Sequence, residues 1–435
     1  MISLSTILLF ILVFVRLSIT HDVNKEAQIL SYLISFLIIL GLIFIDVVTW
    51  YRKKHPDHFI LAKSFLVGFM ALVVIFIPFA SNIVNRDKGD QYSSIHDGII
   101  QTEEAIKYLL AGKNFYSEDY LNTPLTDWSD GKIQEILSGE IFVNPALYHN
   151  VYLPFYFLSS APFYWVSESI FNWYDQRIVL ALALVLSVFF LIRLGKLTEK
   201  TLLVLILFLF NPPFIHYFIE GRNDFFVLFL IILTAYFLAR RKNKAAAVAF
   251  ALACLSKQSA WLLFPFYFLY LYFQTAASFP NLQRVKAVLK QIYPLFILGA
   301  VILAPFLIWD FHAFWEDVFL YPSGKLMTSY PITGYGFSQF LSMIKLGVET
   351  IYDYFPFWII QLMAGAPLLF FLGLVQKRNN TIGQMMTNYG VFLFVFWFFS
   401  RFLNDNYIAY LIVIFVLAYF FENTERKQES NEPIT

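Results

Sequence analysis

Charge is what this chain has least of. Asp, Glu, Lys and Arg make up 14% of its 435 residues, against about a quarter in an ordinary globular domain. The two signs nearly cancel, 31 basic against 30 acidic residues. No basic surplus exists to draw the chain to nucleic acid, which is excluded as a partner. Cysteine is almost missing: Cys254 stands alone. An internal disulfide is therefore impossible, and the apolar run around Cys254 marks it as a small packing residue. No glycine-rich phosphate loop is present, the backbone cradle a bound nucleotide needs. That absence argues against a nucleotide-sugar donor and against ATP-driven transport. The first apolar segment lacks a basic leader and a small-residue cleavage site, so it reads as a retained helix rather than a signal peptide.

What is present is apolar. Hydrophobic residues are 59% of the chain and aromatics 20%. Runs of about 17 to 25 apolar residues recur, the length a helix needs to cross ~30 Å of hydrocarbon. A β-barrel would instead alternate in segments of about ten residues. The sequence predicts an all-α integral membrane protein, one polytopic domain over residues 1–435, with about twelve transmembrane helices. They fall near 2–19, 27–50, 59–84, 178–194, 202–218, 225–239, 245–255, 261–273, 292–309, 357–375, 382–399 and 407–421. Basic loops set the orientation. Arg52-Lys53-Lys54, Arg193 with Lys196 and Lys200, Arg240-Arg241-Lys242, Arg284 with Lys286, Lys377-Arg378 and Arg426-Lys427 all fall on one side of such a chain. That side is expected to be cytoplasmic, with both termini. The polar tail 422–435 is expected to be disordered.

Outside, the reading places a long loop at 86–175. Residues 147–171 are apolar but carry Pro154, Pro162, Ser159 and Ser160. Spanning there would put every later basic loop on the wrong side, so the segment is expected to be re-entrant or interfacial. A weaker case of the same kind covers 337–354. Within the loop, 98–111 reads as an amphipathic helix: Ile99, Ile106, Leu109 and Leu110 form a stripe, with Gln101, Glu104 and Lys107 off it. Gly112 is its stop signal. Asp97 stands at the helix start. It could simply cap the helix, worth about 1 kcal/mol, although Ser93 or Ser94 could cap instead. His96 beside it is a further polar contact.

The residues from Asp97 through Ala105 to Leu109-Leu110-Ala111-Gly112 and Asn114-Phe115-Tyr116 resemble the first outer loop of the GT-C superfamily of polytopic glycosyltransferases. The pattern is most similar to the bacterial polyprenyl-phosphate-mannose-dependent mannosyltransferases and their relatives. Phe115 stands where that pattern usually has proline. Tyr152-Leu153-Pro154-Phe155 resembles the start of the family's interfacial helix. Asn211-Pro212-Pro213 with Gly221-Arg222-Asn223-Asp224, and Leu255-Ser256-Lys257-Gln258, resemble further motifs in the family's order. The resemblance covers roughly residues 86–275. The chain departs from the family in lacking an Asp-x-Asp pair and in having Arg222 where glutamine is usual.

The resemblance implies a GT-C-like fold in a bacterial inner or plasma membrane, with an extracytoplasmic active site. It implies transfer of a mannose-like hexose or a pentose from a polyprenyl-phosphate donor to the hydroxyl of a glycolipid or glycan acceptor, without a cofactor. Asp97 would be the base, and a single carboxylate implies inversion. The departing phosphate needs nearby cations or donors. Candidate substrate contacts are His96, Tyr152, His216, Arg222, Asp224, Lys257 and Arg401. Each has an ordinary alternative. Lys257 could snorkel to the interface, Arg222 could pair with Glu220 or Asp224, and Arg401 could pair with Asp405. Asp310, His312, Glu316 and Asp317 could hold a divalent cation, although their spacing argues for no particular metal. Two competing readings are a flippase or transporter of lipid-linked sugars, for which an inverted repeat is missing, and a polysaccharide polymerase, whose outer loops would be rich in arginine.

Overall fold

A computed structural model describes residues 2–19, 25–87, 95–131 and 144–431. In chain order its helices begin with α1 (Leu4–Ile19), α2 (Lys25–Tyr51), α3 (Ile60–Ala71), α4 (Ile77–Asp87), α5 (Asp97–Leu110), α6 (Pro124–Gly131) and α7 (Pro154–Phe171). They continue through α8 (Arg177–Gly195), α9 (Glu199–Leu209), α10 (Pro212–Glu220), α11 (Asp224–Ala239), α12 (Asn243–Cys254), α13 (Phe264–Gln274) and α14 (Asn281–Trp309). The last are α15 (Phe311–Trp315), α16 (Tyr321–Ser323), α17 (Phe337–Met343), α18 (Phe357–Arg378), α19 (Ile382–Phe398) and α20 (Asp405–Asn431). Among the described residues, strands are limited to one parallel pairing, β1 (Thr333–Gly334) with β2 (Phe402–Leu403).

The chain is an all-α membrane protein. Among the described residues, six helices are long and apolar enough to cross a membrane, and the bent pair α9–α10 makes a seventh candidate. Four shorter apolar helices, α1, α11, α12 and α19, accompany them. Helix occupies every apolar stretch read from the sequence. At the C-terminal end α20 runs to Asn431. Glu, Arg, Lys and Gln in that stretch are good helix formers. Residues 432–435 lie outside the described residues.

Proline writes the two main irregularities. Pro78 has no N–H to give the carbonyl of Val74, and the chain widens into a π-turn over Leu72–Phe76 just before it. Pro212 cannot donate to Phe208, and the helix axis bends by 57° between α9 and α10.

The chain divides into two compact units. One unit comprises residues 1–94 and 186–220, the other residues 95–185 and 221–435. No linker marks the division, because the first unit is assembled from two separated pieces of sequence. It carries a buried polar staple. Lys63 Nζ lies 2.6 Å from Asp46 and 2.9 Å from Glu199. Asp46 also accepts Ser3 Oγ and Thr6 Oγ1, each at 2.8 Å, and Ser5 bonds Glu199. The staple thus joins α1, α2, α3 and α9.

The second unit positions the candidate site. Its α5 occupies the predicted helix and ends at Leu110, with Gly112 (φ +72°) just beyond the cap, but it is not a surface amphipath. Gln101, Thr102, Glu103 and Glu104 are buried along with Ile99, Ile100 and Ile106. Burial of the polar face is tolerated because each group has a partner. Gln101 donates to the carbonyls of Ala146 (2.6 Å) and His149 (2.8 Å), and Glu103 accepts the Gln176 amide. Gly221 (φ +93°) allows close packing here: a Cβ would lie 2.6 Å from Ile99. The segment read as interfacial forms α7. Its entry is fixed to the end of α12, where the amides of Leu153 and Phe155 donate to the carbonyls of Ser256 and Leu255.

Candidate functional site

A cavity of about 260 Å³ opens within the second unit. It brings together Asp97, His96, Tyr152, Arg222, Asp224 and Lys257, residues that lie up to 161 positions apart in sequence.

Asp97 is not the cap of α5. His96 has extended backbone (φ −82°, ψ 140°) and its Nδ1 accepts the Gly98 amide at 3.0 Å, so His96 is the N-cap and Asp97 the first helical residue. Ser93 and Ser94 lie outside the described residues. Asp97 Oδ2 accepts Asn144 Nδ2 at 3.0 Å, and Oδ1 shares the Gly98 amide at 2.7 Å. His96 Nδ1 is 3.0 Å from the same Oδ1, a separation that a proton on Nδ1 turns into an ion pair. A carboxylate at the first turn is also favoured by the helix dipole. Tyr152, Tyr321 and Tyr330 line the same cavity. Burial raises all three hydroxyls above the usual tyrosine range, and the negative charge of Asp97 raises them further. They therefore stay protonated and act as hydrogen-bond donors, not as bases.

In the same cavity, Lys257 is paired. Its Nζ lies 2.6 Å from Asp224 Oδ1 and 2.9 Å from Asn223 Oδ1. Asp224 Oδ2 accepts Asn406 Nδ2 at 3.2 Å. The ammonium also sits 6.0 Å from the ring centres of Tyr152 and Tyr407, at the edge of cation–π range. Asp224 thus takes Lys257 as its cation. Arg222 lines the cavity beside this group.

Two expected contacts are elsewhere. Arg401 is buried and does not line the cavity. Its guanidinium donates to the carbonyls of Tyr330 (2.6 Å), Asp353 (2.7 Å) and Ile351 (3.1 Å). Burial pushes its pKa down to about 10, with Asp353 opposing the shift. Arg401 is a clamp on the loops around β1 and β2 rather than a partner of Asp405. His216 belongs to the first unit, is half exposed, and faces Glu220 at 3.0 Å.

The residues considered for a cation disperse. Asp310 caps α15 through the Ala313 amide and accepts Ser117. His312 faces Glu316 at 3.3 Å. Asp317 turns instead to His149, whose Nδ1 lies 2.7 Å from Asp317 Oδ1 and whose Nε2 lies 2.6 Å from Thr328 Oγ1. Asp317 Oδ2 accepts the Asn150 amide at 2.8 Å. Burial raises the Asp317 carboxyl to about 6, although His149 and the Asn150 amide pull it down. Among the described residues no three His, Cys, Asp or Glu side chains converge as a metal site would require.

Sequence reasoning missed Gln101, Asn144, His149, Asn223, Ser259 and Asn406. The polar pair His149-Asn150 just before Tyr152, and the Asn404-Asp405-Asn406 run, were the available signals.

No family model matches the chain, and no curated protein or solved structure matches it either.

Proposed function

We propose that the chain is a membrane glycosyltransferase that moves a sugar from a polyprenyl-phosphate donor to an acceptor hydroxyl, with inversion. The observation that carries this reading is the cavity, which sets an acid relieved of capping, Asp97, in the same space as Arg222 and Lys257. Asp97 would accept the proton of the acceptor hydroxyl as that oxygen attacks the anomeric carbon. The bond from the anomeric carbon to the phosphate oxygen breaks, and the phosphate leaves on the lipid. Asp224 is engaged by Lys257 and Asn406, which suits a single displacement with Asp97 as the base better than a covalent intermediate on Asp224. Arg222 and Lys257, which both line the cavity, are the cations that would face the phosphate. A GT-C-like arrangement of about twelve spans, with the cavity facing the extracytoplasmic side and both termini in the cytoplasm, belongs to the same proposal and follows from the basic loops.

The test is purified protein with a labelled polyprenyl-phosphate hexose and a glycolipid acceptor. Wild type transfers label and Asp97→Asn loses at least about a hundredfold in rate, in line with removal of a general base. Full activity in Asp97→Asn ends the assignment. A transporter reading has one observation in its favour, the 57° break between α9 and α10, since broken helices occur in transporters. It predicts movement of the lipid-linked sugar across vesicles with no transfer.

A further inference from the structure

Two of the residues that line the cavity with Lys257 each carry a buried polar atom that is not satisfied. Asn223 and Ser259 both line the cavity, and each is more than nine-tenths buried. Asn223 Nδ2 and Ser259 Oγ have no hydrogen-bond partner among the described residues. Buried polar atoms in folded proteins nearly always have a partner, and leaving one unmade is unfavourable. Two such atoms flanking one lysine therefore call for ligand atoms. Local geometry explains why they are spare. Asn223 uses only its Oδ1, on Lys257. The Ser259 backbone is fixed by the Tyr389 hydroxyl on its carbonyl, which leaves the side chain unengaged.

The chemistry of the missing partner follows from charge. An amide N–H and a hydroxyl offer hydrogens to ligand oxygen. Phosphate is one oxygen source and a sugar hydroxyl is another. Here the ammonium of Lys257 is already neutralised by Asp224 at 2.6 Å. A phosphate placed beside Asn223 and Ser259 would meet the Asp224 carboxylate, and the lysine beside them is already matched. A neutral hydroxyl meets no such penalty, and it can also give its own hydrogen to Ser259 Oγ. The rings of Tyr152 and Tyr407 bracket this spot around Lys257, and aromatic faces suit the C–H face of a pyranose.

We propose that Asn223 Nδ2 and Ser259 Oγ read hydroxyl groups of the transferred sugar, and so select which sugar the site accepts. This rests on the glycosyltransferase reading for its activity assay, but not for its binding assay.

The experiment compares Ser259→Ala and Asn223→Asp with wild type. The second change keeps the oxygen that Lys257 uses and removes the donor. The donors are a polyprenyl-phosphate hexose and its singly deoxygenated analogues. One deoxy position should lower wild-type kcat/KM by about three- to tenfold, the value of one hydrogen bond. Ser259→Ala should lose the same factor on the full hexose and nothing further on that deoxy analogue. Melting temperature in detergent should be unchanged or higher in Ser259→Ala, because it removes an unpartnered hydroxyl. Independently, methyl hexosides should raise the melting temperature of wild type and not of the variants, while inorganic phosphate should not discriminate among them. The inference is overturned by equal losses on every donor, by a lower melting temperature in Ser259→Ala, or by phosphate stabilising wild type but not the variants. A protein that binds methyl hexosides through these residues yet transfers nothing would instead overturn the glycosyltransferase reading alone.

Discussion

Lys257 and Asp224 provide the sharpest test of how the cavity is held together. Their charged atoms are 2.6 Å apart and their side chains are 14% and 8% exposed. Removing one member of such a buried pair leaves the other charge uncompensated and costs about 3–5 kcal/mol. Each charge has one further hydrogen bond, to Asn223 and from Asn406, which softens the loss toward the lower end. Lys257→Met and Asp224→Asn should therefore each destabilise the protein by about 3 kcal/mol. The double variant removes both charges together. It should recover most of one single loss, giving a coupling energy of about 2–3 kcal/mol. The assay is reversible unfolding in mixed micelles across the four proteins of the cycle. Losses that simply add, with coupling under about 0.5 kcal/mol, would falsify the ion pair as a structural unit. Transfer activity of the stable double variant then reports on chemistry alone. If Lys257 only holds Asp224 in place, the double variant keeps measurable transfer while the singles fail through instability.

Three more expectations follow from charge and burial. Asp317 binds its proton more tightly folded, at about 6, than at the model-peptide value of 3.8. Its contribution to stability is therefore full below about pH 4 and lost by about pH 6, a change of order 3 kcal/mol. Wild-type melting temperature should fall across that window relative to Asp317→Asn, and parallel profiles would refute the shift. Lys63→Met should destabilise the first unit by about 3–5 kcal/mol, because Asp46 and Glu199 are then left facing each other without a cation; limited proteolysis near α1–α3 would show it. Arg401→Lys should lower stability by about 2–3 kcal/mol, since an ammonium cannot span three carbonyls. It should leave the KM for donor unchanged, and a raised KM with normal stability would mean that Arg401 does meet substrate.

Much of the helical layout was legible because a membrane demands long apolar runs, and such runs survive in sequence whatever their neighbours do. The start and stop of α5 were legible too, through Asp97 and Gly112, since helix ends are written in local residue types. What was not legible depends on distant partners. Gln101 and Glu103 look like an exposed face until Ala146, His149 and Gln176 arrive to satisfy them. Asp46, Lys63 and Glu199 are separated by up to 153 positions, and nothing local in any of them announces the staple. The capping question was settled by one backbone angle, ψ at His96, which the sequence His-Asp-Gly leaves open. The pairing of Lys257 with Asp224 was not legible, because the carboxylate lies on a different helix.

The entry to α7 deserves a different role from the one its composition suggests. Prolines and aromatics made it look like a membrane-surface segment. In the fold its first amides are tied to the carbonyls of Leu255 and Ser256, immediately before Lys257. Tyr152, just upstream, reaches the other way: a Cβ on Gly98 would lie 2.7 Å from the Tyr152 hydroxyl, next to Asp97. The Tyr152 carbonyl is held in turn by Tyr116 at 2.7 Å. Residues 152–155 therefore link the surroundings of Asp97 to the chain just before Lys257. A change at Gly98 would push on Tyr152 and through it on the Lys257 side of the cavity. Under the proposed chemistry, Gly98→Ala should then reduce transfer about as severely as a change at Asp97, although glycine itself carries no functional group. A Gly98→Ala variant with normal stability and normal transfer would show that the link is slack and that acid and lysine are positioned independently.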